Sequence, residues 1–456
     1  MKALKRLGAA LVTMLALALV LTGTAMAAEA EGISVQLNGA PVAFTDAAPE
    51  ITSDRTFLPF RAVLEALGAE VGYDAETSTV SAKRDGVDLA MVLGQNTASV
   101  TENGQTRTVE MDVTPYVKNG RTYVPVRFVA ETFGCNVGWD GGTRTVIIAD
   151  VDALLGGATF DLMDNFAAYC EKQQASKNMT MTGALTLAVE DKSGEMLAKP
   201  VSAKGSIDGV TSNSKAQLNW NLDLAGLSEL AAGSTGSPLE QAAMQGIIAA
   251  LSDLKGEVRM DLESGMVYAS LPGELTGGSG DTWYSLDLNA YQAELLSGLN
   301  MTQLTQLKEA GIRDMLAAII RSMPLNDGET SYAAVAEVTK LYVDMLSDQA
   351  FTQRGNTYVA EMKVMDVMDM TVTLTKRGND IVAADIKASG SSSEDGETVS
   401  FTMTEHAAPD RVTVDMEMSM EDSGMSVKVG LDMNCVPTSK APVATLPAGV
   451  QAVPMG

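Results

Sequence analysis

Two hydrophobic periods divide this chain. Between residues 33 and 150 the apolar positions fall in short alternating runs, interrupted twice by stretches with helical spacing. The interruptions are nearly copies: residues 55 to 80 read RTFLPFRAVLEALGAEVGYDAETSTV, and residues 121 to 146, sixty-six further on, read RTYVPVRFVAETFGCNVGWDGGTRTV. In each, an extended Arg-Thr-aromatic-aliphatic run meets a proline, apolar residues follow at helical spacing, and a glycine closes the helix. Pro59 and Pro125 fit the first helical turn, where a missing N–H costs nothing. Gly68 and Gly134 fit the left-handed residue just past the helix end. Val71 with Tyr73, or Val137 with Trp139, then Asp-x-x-Thr, then Val80 or Val146 with Ile148, predict a hairpin. Each repeat therefore reads strand, helix, hairpin. Asn38-Gly39 adds a tight turn, and DLAMVLG and TVEMDV add strands between the repeats. Two such units bury faces that neither buries alone.

Past a joint at Leu155-Gly156-Gly157 the alternating segments lengthen and fill with methionine. Residues 160 to 176 carry Phe160, Met163, Phe166, Ala167 and Cys170 at helical spacing, which predicts an amphipathic helix. MTMTGALTLAVED and SKAQLNWNLDLAG alternate as strands with one wet side. Helical patterns at 238 to 252, 289 to 322 and 331 to 347 interrupt the strands, which then resume to the end. RVTVDMEMSMED sets Val412, Val414, Met416, Met418 and Met420 on one face, GMSVKVGLDM answers with Met425, Val427, Val429, Leu431 and Met433, and Asp422-Ser423-Gly424 supplies the turn. A sheet with one apolar face must cover it, and mid-chain helices are the available cover.

With these residues laid out, positions 33 to 150 resemble the copper amine oxidase N-terminal-like domain, a small α+β stalk module. RTYVPVRFVAETFG followed by VGWDGGTRTVII is the most specific part. The resemblance implies an appended module and none of the oxidase chemistry. The residues agree: His406 is the only histidine, and no Asn-Tyr pair is present from which a quinone cofactor could be made. Amine oxidation is excluded, no cofactor is expected, and no metal site is assigned. The region 158 to 440, in its helix-first order with a strand meander and helical insertion, resembles the LolA-like lipoprotein carrier fold, a half-barrel that holds acyl chains between sheet and helices. The fold class expected is thus α+β: a small repeat-built stalk domain at 28 to 154, then a curved antiparallel half-barrel sheet packed over helices at 158 to 440, then a flexible tail at 441 to 456.

The termini and the charge narrow the setting. Lys2, Lys5 and Arg6, an apolar run from Leu7 to Leu21 and small residues ending at Ala27 have the layout of a cleavable secretory signal over residues 1 to 27. No later stretch approaches the ~20 apolar residues of a membrane span. Thr24 stands where a lipoprotein signal needs cysteine, so a secreted, non-lipidated protein, extracellular or cell-wall associated, is expected. A formal charge of −26 makes nucleic acid a poor partner, because phosphate binding needs clustered Lys and Arg. Three cysteines form at most one internal bridge, for which Cys170 and Cys435 are the pair to examine, while Cys135 replaces Ala69 of the first repeat as a small buried filler.

Candidate chemistry is sparse. Met370, Met403, Met416, Met418, Met420, Met425 and Met433 form either an ordinary core or a face that receives a lipid or other apolar small molecule, since unbranched thioethers adapt to irregular partners. Strand alternation accounts for MEMSM without cuprous ion. Tyr73 and Trp139, at equivalent positions, read either as hairpin packing or as stacking residues for a cell-wall glycan. Arg61 and Arg127 each have a glutamate four residues on, Glu65 and Glu131, for helix-surface pairing. No nucleophile elbow, phosphate loop or calcium loop appears, and paired carboxylates in so acidic a chain identify nothing. No enzyme is indicated. The reading is a non-catalytic envelope-associated protein with a possible hydrophobic-ligand domain; the alternative is a purely structural or cell-wall-binding surface protein with a filled core.

Overall fold

The computed structural model describes residues 32–174, 178–194, 197, 199–212, 214–227, 242, 246, 249, 252–276, 281–288, 311–325, 331–364, 367–394 and 397–454. The expected signal at 1 to 27, the part of the predicted helical stretch 289 to 322 that precedes residue 311, and most of that at 238 to 252 lie outside the described residues. Contacts divide the chain into two compact units, Met1–Gly157 with Leu316–Lys340, and Ala158–Met315 with Leu341–Gly456. Strand outweighs helix throughout.

The first unit contains β1 (Ser34–Leu37), β2 (Ala40–Pro41), β3 (Glu50–Thr52), β4 (Arg55–Pro59), α1 (Phe60–Ala66), β5 (Glu70–Asp74), β6 (Thr79–Arg84), β7 (Val87–Val92), β8 (Thr97–Glu102) and β9 (Gln105–Glu110). It continues with β10 (Tyr116–Lys118), β11 (Arg121–Pro125), α2 (Val126–Thr132), β12 (Cys135–Asp140), β13 (Thr145–Asp150) and α3 (Val151–Leu155). Three sheets result, in the orders β12-β13-β1-β2, β10-β11-β4-β3 and β5-β6-β7-β8-β9. The strand-helix-hairpin order holds at both copies of the motif, and the leading strands pair with each other: β11 runs antiparallel to β4, with Val124 opposite Leu58. Both prolines sit one residue earlier than the helical spacing predicts. Pro59 and Pro125 end the strands and stand as helix N-caps, because their backbones are held opposite Tyr123 and Phe57 of the other copy. Gly68 and Gly134 take φ of +78° and +77°, as a left-handed helix stop requires.

On α1 the buried residues are Phe60, Val63 and Leu64, the i, i+3, i+4 face of a one-sided helix. α2 repeats this with Val126, Val129 and Ala130. These six share one core with Leu58, Met91, Val124 and Ile148, and burying each of the larger side chains stabilises by roughly 1.5–3 kcal/mol. The Asp-x-x-Thr hairpins close alike. Asp74 accepts from the Glu76 N–H at 2.8 Å and from the Thr77 hydroxyl at 2.8 Å, while Asp140 accepts from the Gly142 N–H at 2.9 Å and the Thr143 hydroxyl at 2.6 Å. Asn38 and Gly39 both have positive φ, the conformation of a tight hairpin turn, and join β1 to β2.

Leu316–Lys340, read from the sequence as part of the second domain, clusters with this unit. The last turns of α5 (Ile312–Ser322) and the following Met323-Pro324-Leu325 lie on the outer face of β12. Asn136 donates to the carbonyls of Ile320 and Met323, and Arg321 Nε donates to the carbonyl of Gly134 at 3.1 Å. Leu316, Ile320 and Leu325 are all buried there.

The second unit begins with α4 (Asp161–Gln174), followed by β14 (Asn178–Asp191), β15 (Val201–Thr211), β16 (Lys215–Asp223), β17 (Leu254–Asp261), β18 (Met266–Leu271) and β19 (Thr282–Asp287). Helix α6 (Tyr332–Leu346) ends in this unit and leads to β20 (Thr352–Arg354), β21 (Thr357–Val364), β22 (Met368–Arg377), β23 (Asp380–Glu394), β24 (Glu397–Ala408), β25 (Arg411–Met420), β26 (Met425–Thr438) and β27 (Val453–Pro454). They form one sheet of 14 strands in the order β20-β21-β22-β23-β24-β25-β26-β14-β15-β16-β17-β18-β19-β27. All neighbours are antiparallel except β19 and β27. The early meander and the late meander meet at β14 and β26, which pair from Asn178–Thr438 to Asp191–Met425.

Helix α4 packs Leu162, Met163 and Phe166 against Ala360, Val372, Leu374, Ile381 and Ala384. Its N-terminus is satisfied by Asp348, whose two carboxylate oxygens accept from the N–H groups of Asp161 at 2.9 Å and Leu162 at 2.8 Å. The tail expected to be flexible is tied to the sheet. The Val443 N–H donates to Gln217 at 3.1 Å, Arg259 donates to the carbonyl of Thr445 at 2.5 Å, and Val453 lies opposite Tyr284 in the ladder. Unpaired edge N–H and C=O groups of β19 give the chain end a reason to add as a strand.

Candidate functional site: a cleft in the first unit and a methionine face in the second

A cleft of about 720 Å³ opens in the first unit. Its walls come from the 43–47 loop, the first turn of α1, the β5–β6 hairpin and the turn between β10 and β11. Tyr73 lines it 53% exposed, and Val117 lines it 52% exposed. Phe44, Ala62 and Val71 line the apolar part. Two ion pairs complete the lining: Arg61 with Glu65 at 3.2 Å along one turn of α1, and Arg121 with Asp46 across the wall. The hydrogen bond from Arg121 holds the Asp46 carboxyl below its ordinary value, and each of the two acids is matched by a guanidinium.

The Arg121–Asp46 pair has a counterpart sixty-six residues along in each partner: Arg55 Nε donates to Asp112 at 2.5 Å. Each arginine thus reaches the acid that precedes the other copy of the motif. Arg127 and Glu131 repeat the helix pair at 3.8 Å. The counterpart of the cleft differs at several positions, among them Phe44, which is Glu110 there, and two more on the helix and the hairpin. Where the first copy has Ala62 and Tyr73, the second has Phe128 and Trp139, and both of those pack against the common core. Tyr73 lies opposite Val80 and Trp139 opposite Val146, at the same register position of the two hairpins. The two aromatic residues singled out from the sequence therefore sit differently: Tyr73 presents its ring to solvent, and Trp139 is partly buried packing.

In the second unit the strand register sets all seven nominated methionines on one face of the sheet. Met370 pairs with Ala388, Ala388 with Met403, and Met403 with Met416. Met420 lies opposite Met425, and Met433 opposite Val412. Met418, Met420 and Met425 are buried, at 4%, 5% and 5% exposure, whereas Met370, Met403, Met416 and Met433 are half-buried. The opposite face is polar. On it His406 Nδ1 and Asp385 Oδ1 are 2.8 Å apart, and Lys428 pairs with Glu417 at 3.3 Å. The three cysteines are free, so Cys170 and Cys435 are not bridged. Among the described residues no group of three or more His, Cys, Asp or Glu is placed to hold a metal ion, and no helix is long and apolar enough to cross a membrane.

Sequence reasoning missed Asp46, Phe44, Val117 and Arg121 as cleft residues. Asp46 and Phe44 lie in a loop before the first copy, Val117 on β10, and Arg121 at the head of the second copy, away from the helix and hairpin. The signal that finds them is the sixty-six-residue offset itself, which also relates Asp46 to Asp112 and Pro49 to Pro115.

Residues 36–148 match the family described as the copper amine oxidase N-terminal domain, which supports the stalk-module resemblance. No curated protein matches the chain. Among solved structures, the chain aligns with Ail, the attachment invasion locus protein of Yersinia pestis, at 8% identity, covering 57% of this chain and 97% of that one. The TM-scores are 0.12 for its complex with the heparin analogue sucrose octasulfate and 0.11 for the protein by itself. Likenesses at that level do not support the LolA-like resemblance of the second region.

Proposed function

We propose that the protein is a secreted, non-catalytic, envelope-associated protein. In this reading a repeat-built stalk module carries a sheet domain that binds a lipid or other apolar small molecule. The observation that carries it is the methionine row. Four flexible thioether side chains, Met370, Met403, Met416 and Met433, share one face of the sheet and are only half-buried, so this face offers adaptable apolar surface that the described core does not use up. Curvature of the 14-stranded sheet into a half-barrel over helices belongs to the same reading, with α4 against β21–β23 as its described part. The single histidine, His406, lies beside Asp385 on the polar face and speaks against amine oxidation.

The test is mass spectrometry of the organic extract of the protein, expressed with its leader in a secreting host and purified without detergent. A stoichiometric apolar molecule, lost on Met403→Asp with Met416→Asp while circular dichroism is unchanged, is the expected result. An empty extract, with no uptake of a fluorescent fatty acid, would leave the alternative of a structural or wall-binding surface protein. Burial of Met418, Met420 and Met425 favours that alternative.

A further inference from the structure

We infer that the cleft of the first unit binds a neutral sugar unit of a glycan, with Tyr73 as its stacking platform. The inference stands apart from the apolar-ligand reading, because the cleft is built wholly from residues 43 to 122 of the first unit.

Comparison of the two motif copies indicates that the cleft is a departure from a filled arrangement. The second copy places Phe128 and Trp139 against the core, at the positions where the first has Ala62 and Tyr73. Filling this position is therefore compatible with the backbone geometry. In the first copy the Tyr73 ring is instead 53% exposed in the cleft, near Val117 among its lining residues, and exposed apolar groups gathered in one concavity mark a ligand site. The volume of about 720 Å³ falls in the ~300–1,000 Å³ range of small-molecule pockets.

The chemistry of the lining selects the ligand. The chain as a whole carries a charge of −26, yet the charged groups of the cleft are two arginines and two acids, each paired with its opposite. An anion meets Asp46 and Glu65 beside the arginines, and a cation meets Arg61 and Arg121 beside the acids, so a charged ligand faces a like charge whichever sign it carries. A neutral ring does not. A pyranose presents axial C–H groups that stack on the negative face of a tyrosine, and vicinal hydroxyls that accept from a guanidinium and donate to a carboxylate. Tyr73 beside Arg61–Glu65, with Arg121–Asp46 across the opening, supplies both kinds of contact within one cleft.

The experiment uses the full chain and three disaccharide probes: N,N′-diacetylchitobiose, cellobiose and maltose. Saturation-transfer NMR at millimolar ligand is expected to show at least one of them bound. Tyr73→Ala should weaken that probe tenfold or more. Ala62→Phe, which installs the side chain found at Phe128, should abolish binding while the thermal midpoint holds or rises. Arg127→Ala, outside the cleft, should leave binding unchanged. Absence of binding by all three probes, or binding that survives Ala62→Phe, would overturn the inference. So would a cleft that takes an uncharged peptide and none of the sugars.

Discussion

The amide nitrogen of Asn136 donates to the carbonyl of Ile320 at 2.9 Å, across 184 residues of chain, and to that of Met323 at 2.6 Å. Asn136 is 6% exposed, so these bonds are made away from solvent. They supply donors at the C-terminal end of a helix, where backbone N–H groups run out: the Ile320 carbonyl also accepts from the Met323 N–H at 3.3 Å. The equivalent residue of the first copy is Glu70, which has no N–H to offer. β12 thus offers the segment 316 to 325 a donor that the side chain at the same place on β5 lacks.

Removing that donor is expected to destabilise the first unit. Asn136→Ala should cost ~1–3 kcal/mol, the range for leaving buried carbonyls unpaired. Asn136→Asp should cost more, because an acceptor then faces two acceptors. Urea unfolding reads both; equal losses for Ala and Asp would mean that the hydrogen bonds contribute little.

A methyl group separates the two hairpins in the same way. A Cβ on Gly138 would lie 1.8 Å from the carbonyl oxygen of Leu325, whereas on Gly72 it would meet only the Ser81 hydroxyl at 2.6 Å. A backbone atom cannot rotate away and a serine side chain can. Gly138→Ala should therefore lower the thermal midpoint and expose residues 316 to 325 to protease, and Gly72→Ala should do neither.

Thiol accessibility is predicted to split two against one. Burial pushes the Cys135 thiol up to about 12, and the residue is 2% exposed. Cys170 and Cys435 are also raised by burial but remain partly accessible. A maleimide at pH 8 should add two labels to the folded protein and a third only in urea. Three labels on the native chain would contradict the packing around Cys135.

Acid should weaken the second unit through Glu257. Burial works to raise its carboxyl, but hydrogen bonds from Arg259 and Gln217 outweigh it and hold the group below its ordinary 4.5. Because the folded value is the lower one, its stabilisation is complete above 4.5 and is lost as pH falls through the folded value. The stability gap between wild type and Glu257→Gln should thus narrow from pH 7 to pH 3. A gap independent of pH would show that the pair with Arg259, at 2.7 Å, is energetically idle.

The methionine face should be graded by burial. Met418→Ala removes a side chain that is 4% exposed and should cost ~2–5 kcal/mol, while half-buried Met433→Ala should cost clearly less. Equal costs would indicate that the whole row is core.

What the sequence determined by itself is local. The alternation that set Met416, Met418 and Met420 on one face, the glycines that stop α1 and α2, and the Asp-x-x-Thr turns all depend on neighbours within a few residues, so period and turn chemistry make them readable. Only the tertiary structure decided the rest. The shift of Pro59 and Pro125 into strand ends follows from pairing between the two motif copies, and the docking of 443 to 454 follows from an edge strand far away in the chain. The attachment of 316 to 325 rests on the Asn136 amide, on Arg321 bonded to the Gly134 carbonyl, and on the space that Gly138 leaves for Leu325. The cleft lies where Ala62 stands in the place that Phe128 takes in the second copy, between loops brought together by the fold. Equal patterns of apolar and polar residues conceal such differences of volume and donor character, which act only once distant segments touch.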